Sequence, residues 1–282
     1  MSSILTNNGA MVALQTLKSV NDSLDETQSA ISTGKEVGKA KDNAAVWAIS
    51  KTMESDIAGF EAIEEGLAIG EATVGVASAA SEQIVEKLKE IKELVVSAQS
   101  ENVEHATIQN DIDSKVAQID SIISAAQFNG ANLLRSDIDG NSTTSLGVLA
   151  SLDRQGAGGT VTAVEIAVAT VDFEGNLDLS ASLTSITDSA TAALALDDIE
   201  VLLNVAIEGA ASLGAAAARL EDQSDFVSKL VDSMTMGVST MTDTNMEEAS
   251  ARLQALQTQQ ELAVQSLTIA NEAPGTLLQL FQ

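Results

Sequence analysis

At 282 residues and 45% hydrophobic, the chain is long enough to bury a sizeable core, yet aromatics supply only 2% and the apolar content is Ala, Leu, Ile and Val. A single proline, Pro274, leaves long helices largely uninterrupted, and the lack of cysteine excludes disulfides and thiolate metal sites. With 41 Asp and Glu against 14 Lys and Arg, a net charge of -27 disfavours nucleic-acid phosphates and anionic lipid as partners. No apolar run reaches the roughly 20 residues of a membrane span, so no membrane insertion is expected. The start MSSILTNNGAMVALQ lacks the basic and apolar regions of a cleaved signal peptide, so export would need another route.

The first segment, Ile4 to Ile31, places Ile4, Met11, Leu14, Leu17, Val20, Leu24 and Ile31 near a 3.6-residue period, giving one apolar face that needs a partner helix. Thr33 and Gly34 read as its stop, because glycine accepts the left-handed conformation that ends helices. Asp42 or Asn43 can cap a second helix running from Ala44 to about Ser97, some 80 Å of helix at 1.5 Å per residue. Gly59, Gly66, Gly70 and Gly75 weaken it and are expected where another helix approaches closely, with a break near Gly75 as the competing reading.

A third helix is expected over about Val103 to Gln127, stopping at Asn129 and Gly130 and folding back on its predecessor. From Ser136 to Ser189 the composition shifts to Gly, Ser and Thr, and a β-branched alternation from Thr160 to Phe173 suits strands and turns. Helical periodicity returns near Ala190 and continues to about Met236. Counting from Met246 in steps of three and four then lands on Ala249, Leu253, Leu256, Gln260, Ala263, Leu267, Ala270, Pro274, Leu277 and Phe281, a coiled-coil seam. Both ends of the chain thus offer amphipathic helices of about 30 residues, which are marginal alone and whose stable state is expected to need each other and neighbouring copies of the same chain.

Candidates for chemistry are few. His105 is the only histidine, has no partner pattern and reads as solvent-facing. DIDGN at 137–141 places its glycine two positions early for a calcium loop and lacks the bidentate Glu, so it reads as a polar turn. Trp47 reads as a packing residue, and Met234, Met236, Met241 and Met246 as seam fillers. No carboxylate pair, nucleophile elbow, phosphate loop or zinc motif is present, so neither enzymatic activity nor a cofactor is expected.

Four segments carry a family resemblance. STGKEVGKAKDNAAVWAIS at 32–50, QFNGANLL at 127–134, SLGAAAARLE at 212–221 and DTNMEEASARLQALQTQQELAVQSLTIANEAPGTLLQLF at 243–281 together resemble bacterial flagellin along most of the chain, in wording closest to flagellins of alphaproteobacteria. The resemblance implies a mainly α fold of long antiparallel helices in a discontinuous coiled-coil rod, with a small β and turn region in the middle. It divides the chain into an inner core (1–40 and 240–282), a helical rod (41–135 and 190–239) and an outer segment (136–189). It further implies a secreted subunit that polymerises with itself, outside the cell, into the filament of the flagellum.

The export apparatus, an export chaperone covering the last helix, the filament cap and the hook-associated proteins are the partners implied. The assembly seam is expected at Ile4, Met11, Leu14, Leu24 and Ile31 on the first helix, and at Met246, Leu253, Leu256, Ala263, Leu267, Leu277 and Phe281 on the last. One departure stands out. Where many flagellins carry arginines recognised by innate immune receptors, this chain has Glu90 and Lys92, which argues against receptor activation. The alternatives are a hook-filament junction protein, which shares the terminal helices, and a cytoplasmic coiled-coil scaffold.

Overall fold

The computed structural model describes residues 7–140, 142–154, 156 and 159–279, with the backbone alone for 274–279. The chain divides into two compact units, residues 1–56 with 233–282 and residues 57–232. Seven helices and two strands run in the order α1 (Asn8–Thr33), α2 (Ala44–Ser97), α3 (His105–Ala125), β1 (Ser145–Arg154), β2 (Val161–Ala169), α4 (Phe173–Asn176), α5 (Leu179–Ser182), α6 (Ser189–Thr242) and α7 (Met246–Gln279) among the described residues.

In the second unit the buried positions of α2 follow a heptad: Ile63, Leu67, Gly70, Val74, Ala77, Ile84, Leu88, Ile91 and Val95 all lie on one face. On α6 the same spacing runs through Ala192, Ala195, Ile199, Leu202, Ala206, Gly209, Leu213 and Leu220. The two helices meet in antiparallel sense, with Lys92 ion-paired to Glu200 and a shallow groove lined by Glu82, Val85, Glu86, Ile207 and Ala210. Ile112 and Ile119 of α3 are fully buried, and Lys115 reaches Glu90 of α2. An 18-residue window of α6 has a mean hydropathy of 1.6, enough by length and composition to cross a bilayer. The sequence nonetheless holds no continuous apolar block of that length, because polar residues interrupt α6 while its alanines, valines and leucines raise the mean. Burial along α6 recurs on one face only, which is the pattern of a helix packed against protein.

The middle segment packs within this unit. Strands β1 and β2 pair antiparallel, Ser145 opposite Ala169 and Arg154 opposite Val161, with a register shift between Leu149 and Ser151. The glycine expectation needs correction, since a β-segment, not another helix, approaches two of the glycines. A Cβ on Gly70 would stand 2.7 Å from Val148 Cγ2, and one on Gly59 would stand 2.7 Å from Leu152 Cδ1. Gly66 and Gly75 face open space, and α2 runs unbroken through Gly75. On α6 a Cβ at Gly209 would meet the Phe173 ring at 2.5 Å. Each long helix therefore places a glycine in its buried seam where a side chain of the middle segment enters.

Two alanine substitutions separate these cases. Gly66→Ala removes backbone entropy from the unfolded chain at no steric cost and is expected to stabilise by about 0.5–1 kcal/mol. Gly70→Ala gains the same propensity but meets both methyls of a stiff β-branched side chain, an overpacking that costs about 1–3 kcal/mol, so the net sign is destabilising. Thermal denaturation followed by circular dichroism reads both; a Gly70→Ala protein as stable as Gly66→Ala would remove the hairpin from that position.

Helix α3 ends at Ala125, before the expected stop. Asn129 and Gly130, at φ 49° and 85°, instead form a separate two-residue turn closed by Phe128 and Ala131, each donating its N–H to the other's carbonyl at 2.9 Å. His105 also differs from expectation. Its ring is half-buried, with Nε2 2.9 Å from the Ala98 carbonyl, because it opens α3 against the end of α2.

The Lys115 and Lys87 ammonium groups hold the Glu90 carboxyl below its ordinary value of 4.5. A carboxylate depressed in the folded state contributes stability that is present above its unfolded value and lost as pH falls through its folded value. The difference in stability between wild type and Glu90→Gln is therefore expected to be constant near neutrality and to shrink as pH falls below about 4.5. Denaturant titrations of both proteins at a series of pH values measure it, and a difference independent of pH would contradict the assignment.

Candidate assembly interface

Helices α1 and α7 pair antiparallel in the first unit. Asn7 caps α1, its Oδ1 accepting from the Ala10 N–H at 3.1 Å, while its Nδ2 donates to the Ala270 carbonyl at 2.6 Å. Fourteen residues on, Asn21 Oδ1 accepts from Gln260 Nε2 at 2.7 Å, a polar pair inside an apolar seam that fixes the register of the two helices. Gly34, at φ 71°, ends α1 as expected, and Asn43 Oδ1 caps α2 by accepting from the Val46 N–H at 3.2 Å.

On α7 the residues turned away from solvent are Ala249, Leu253, Leu256, Gln260, Ala263, Leu267 and Ala270, in alternating steps of three and four. On α1 they follow the same rule through Ala10, Ala13, Leu17, Val20, Leu24, Thr27 and Ile31. The structure thus brings Leu24 and Ile31 together with Leu253, Leu256, Ala263 and Leu267. It places Met11, Leu14 and Met246 elsewhere: they are 65%, 58% and 45% exposed. Ile4 and Phe281 lie outside the described residues, as does the side chain of Leu277.

The 3.6-residue period includes Met11 and Leu14, whereas the seam between α1 and α7 uses the small Ala10 and Ala13 one position earlier, about 100° around the helix. Close-packed alanines let the two backbones approach, and Ala13, Ala249 and Ala263 are accordingly buried. Beside them runs a depression lined by Gly9, Val12, Ala13, Thr16, Ala263 and Ser266. Elsewhere on the two helices large apolar side chains face solvent, among them Met11, Leu14, Leu262, Val264 and Ile269. Two helices carrying one buried seam and large exposed apolar side chains offer surface for a further layer of packing.

Nothing in the described residues resembles a reaction centre, and no group of three or more His, Asp or Glu could hold a metal ion there. The arrangement offers surface for association.

Comparison with known proteins fits that arrangement. The model of the bacterial flagellin N-terminal helical region matches residues 4–138, and that of the flagellin C-terminal helical region matches residues 196–281. The chain belongs to the bacterial flagellin family. It is 40% identical to a flagellin of Brucella melitensis over 286 positions, covering all of both chains. It is 38% identical to flagellin FljM of Caulobacter vibrioides over all of this chain and 99% of that one. Both come from alphaproteobacteria, in keeping with the wording of the sequence motifs. Among solved structures, a Bacillus cereus flagellin is similar over 57% of this chain and 88% of its own, with a TM-score of 0.48 and 16% identity.

As a flagellin, the chain is a structural subunit of the flagellar filament, the extracellular part of the flagellum, and it polymerises with itself. The full-length match to flagellins does not favour a hook-filament junction protein or a cytoplasmic scaffold.

Proposed function

We propose that the paired helices α1 and α7 are the element through which this flagellin assembles, packing as an inner core formed by residues 1–40 and 240–282. In this reading residues 41–135 and 190–239 form a surrounding rod layer, and residues 136–189 face outward. The observation that carries the proposal is that the paired helices leave Met11, Leu14, Leu262 and Ile269 exposed and also carry a depression lined by Ala13 and Ala263. Large exposed side chains and a small-residue groove on the same pair of helices suit knobs-into-holes packing between copies. The seam residues Leu24, Ile31, Leu253, Leu256 and Leu267 hold the pair together, and Met11, Leu14 and Met246 reach the neighbour.

The chain crosses the export channel unfolded, for which a sequence without cysteine and with one proline is suited. Before export, a chaperone covers the α7 seam at Leu253, Leu256 and Leu267, which would otherwise aggregate. The filament cap and hook-associated proteins meet the same terminal helices at the ends of the polymer. The chain acts without catalysis or cofactor.

The exposed side chains are tested by Leu14→Glu and Ile269→Glu. Each introduces a charge that must be desolvated if the position is buried on assembly, and each is expected to suppress polymerisation measured by sedimentation while leaving the monomer's helical circular dichroism unchanged. Filaments of normal yield from both variants would remove these side chains from the interface.

A further inference from the structure

Ten of the 14 cationic side chains are committed within the chain. Lys35 and Lys51 meet Glu54, Lys87 and Lys115 meet Glu90, and Lys89, Lys92, Arg135, Lys229 and Arg252 each have a carboxylate partner. Arg154 also has interactions of its own. Lys18, Lys39, Lys41 and Arg219 remain without an ion pair among the described residues. In a chain with 41 acids, a lysine without a carboxylate partner is the exception.

Two of those four stand together on the connector between α1 and α2, and the connector is held rigidly. Glu36 and Val37 donate their N–H groups to the Thr242 carbonyl at 2.7 and 3.2 Å, and Thr244 donates to the Gly34 carbonyl at 2.9 Å. Asp42, the nearest acid in sequence, accepts from the Lys39 backbone N–H at 2.8 Å and so braces the loop. Lys39 and Lys41 are both exposed and line a depression with Asp22 and Asp25 of α1, yet pair with neither. A braced loop displaying two unpaired ammonium groups spends less entropy on meeting an external carboxylate than a free side chain on a mobile loop would.

We infer that Lys39 and Lys41 form a cationic contact for the carboxylates of a second copy of this chain in the filament. This rests on the self-assembly reading above. Copies with a net charge of -27 repel one another on average, and salt screens that repulsion only beyond about 8 Å, so close packing needs local complementarity. A second copy can supply it, since residues 52–86 of α2 contain eight Asp and Glu and no Lys or Arg.

The test compares polymerisation of wild type, Lys39→Gln/Lys41→Gln, Lys39→Arg/Lys41→Arg and Arg219→Gln/Lys229→Gln, the last a control with the same change in net charge. The critical concentration for assembly is expected to rise about fivefold to thirtyfold for the Lys39/Lys41 glutamine variant, beyond the control, and to stay near wild type for the arginine variant. Zero-length carbodiimide cross-linking of filaments mixed from isotopically heavy and light subunits is expected to join Lys39 or Lys41 to an acid of the other copy. Equal effects in the glutamine variant and the control, or cross-links only to Asp22 or Asp25 of the same copy, would overturn the inference. Wild-type protein that forms no filament would overturn the self-assembly reading together with it, whereas wild-type filaments with an unaffected glutamine variant overturn this contact alone.

Discussion

A chain ending at Asn245 is expected to form no filament. Removing α7 strips the partner from Ala13, Leu17, Val20, Leu24, Thr27 and Ile31 of α1 and deletes the hydrogen bonds from Asn7 to Ala270 and from Gln260 to Asn21. A helix of 26 residues with a mostly polar surface and no partner is marginal in water. The loss of helix should therefore exceed the 34 residues of α7 and extend to α1. The second unit has its own buried seams on α2 and α6, so its thermal transition should stay within a few degrees of that of the full chain. Circular dichroism measures the helix loss and electron microscopy the missing filaments. A truncated chain that still polymerises would show that assembly does not run through the terminal pair.

Phe173→Ala is expected to be the most damaging single change in the second unit. Phe173 is fully buried, its N–H donates to the Leu134 carbonyl at 2.9 Å, and its ring lies where a Cβ on Gly209 would stand 2.5 Å away. Truncating a buried phenylalanine costs about 3–5 kcal/mol, since the site cannot collapse onto the empty volume. For a unit of this size that is a fall in Tm of about 6–20 °C. Gly209→Val attacks the same contact from the helix side, forcing methyls into a rigid ring, and should destabilise by about 1–3 kcal/mol or more. Because the two changes remove one contact, the double variant should lose less than the sum of the single ones. Calorimetry of the monomeric protein checks this, and additive losses would mean that the ring and the glycine do not meet.

Most of the helical layout was legible because its cause is local. The 3.6-residue period, the cap at Asn43 and the left-handed Gly34 are written within a few residues of where they act. The α7 seam was legible for the same reason, as counting by threes and fours lands on Ala249, Leu253, Leu256, Gln260, Ala263, Leu267 and Ala270, which turn away from solvent. On α1 the 3.6-residue period takes in Met11 and Leu14 with Leu17, Val20, Leu24 and Ile31, whereas the seam within the chain is made at that end by Ala10 and Ala13, whose small side chains allow close helix approach.

What sequence left out depends on long-range contact. Gly70 and Gly209 each occupy a heptad position that should hold an apolar side chain, and that anomaly was a readable sign of something entering the seam. That the visitor is Val148 in one case and Phe173 in the other follows from the fold of a middle segment whose composition suggests only strands and turns. Hydrogen bonds between the connector and Thr242, two hundred residues apart in sequence, leave no local trace at all.

The central claim is that assembly resides in the α1–α7 pair, and an electron cryomicroscopy map of filaments grown from the purified chain tests it most directly. The account predicts α1 and α7 at the innermost radius, with Met11, Leu14, Leu262 and Ile269 buried against neighbouring copies. A filament in which those side chains meet only solvent, or a chain that remains monomeric at high concentration and salt, would contradict it.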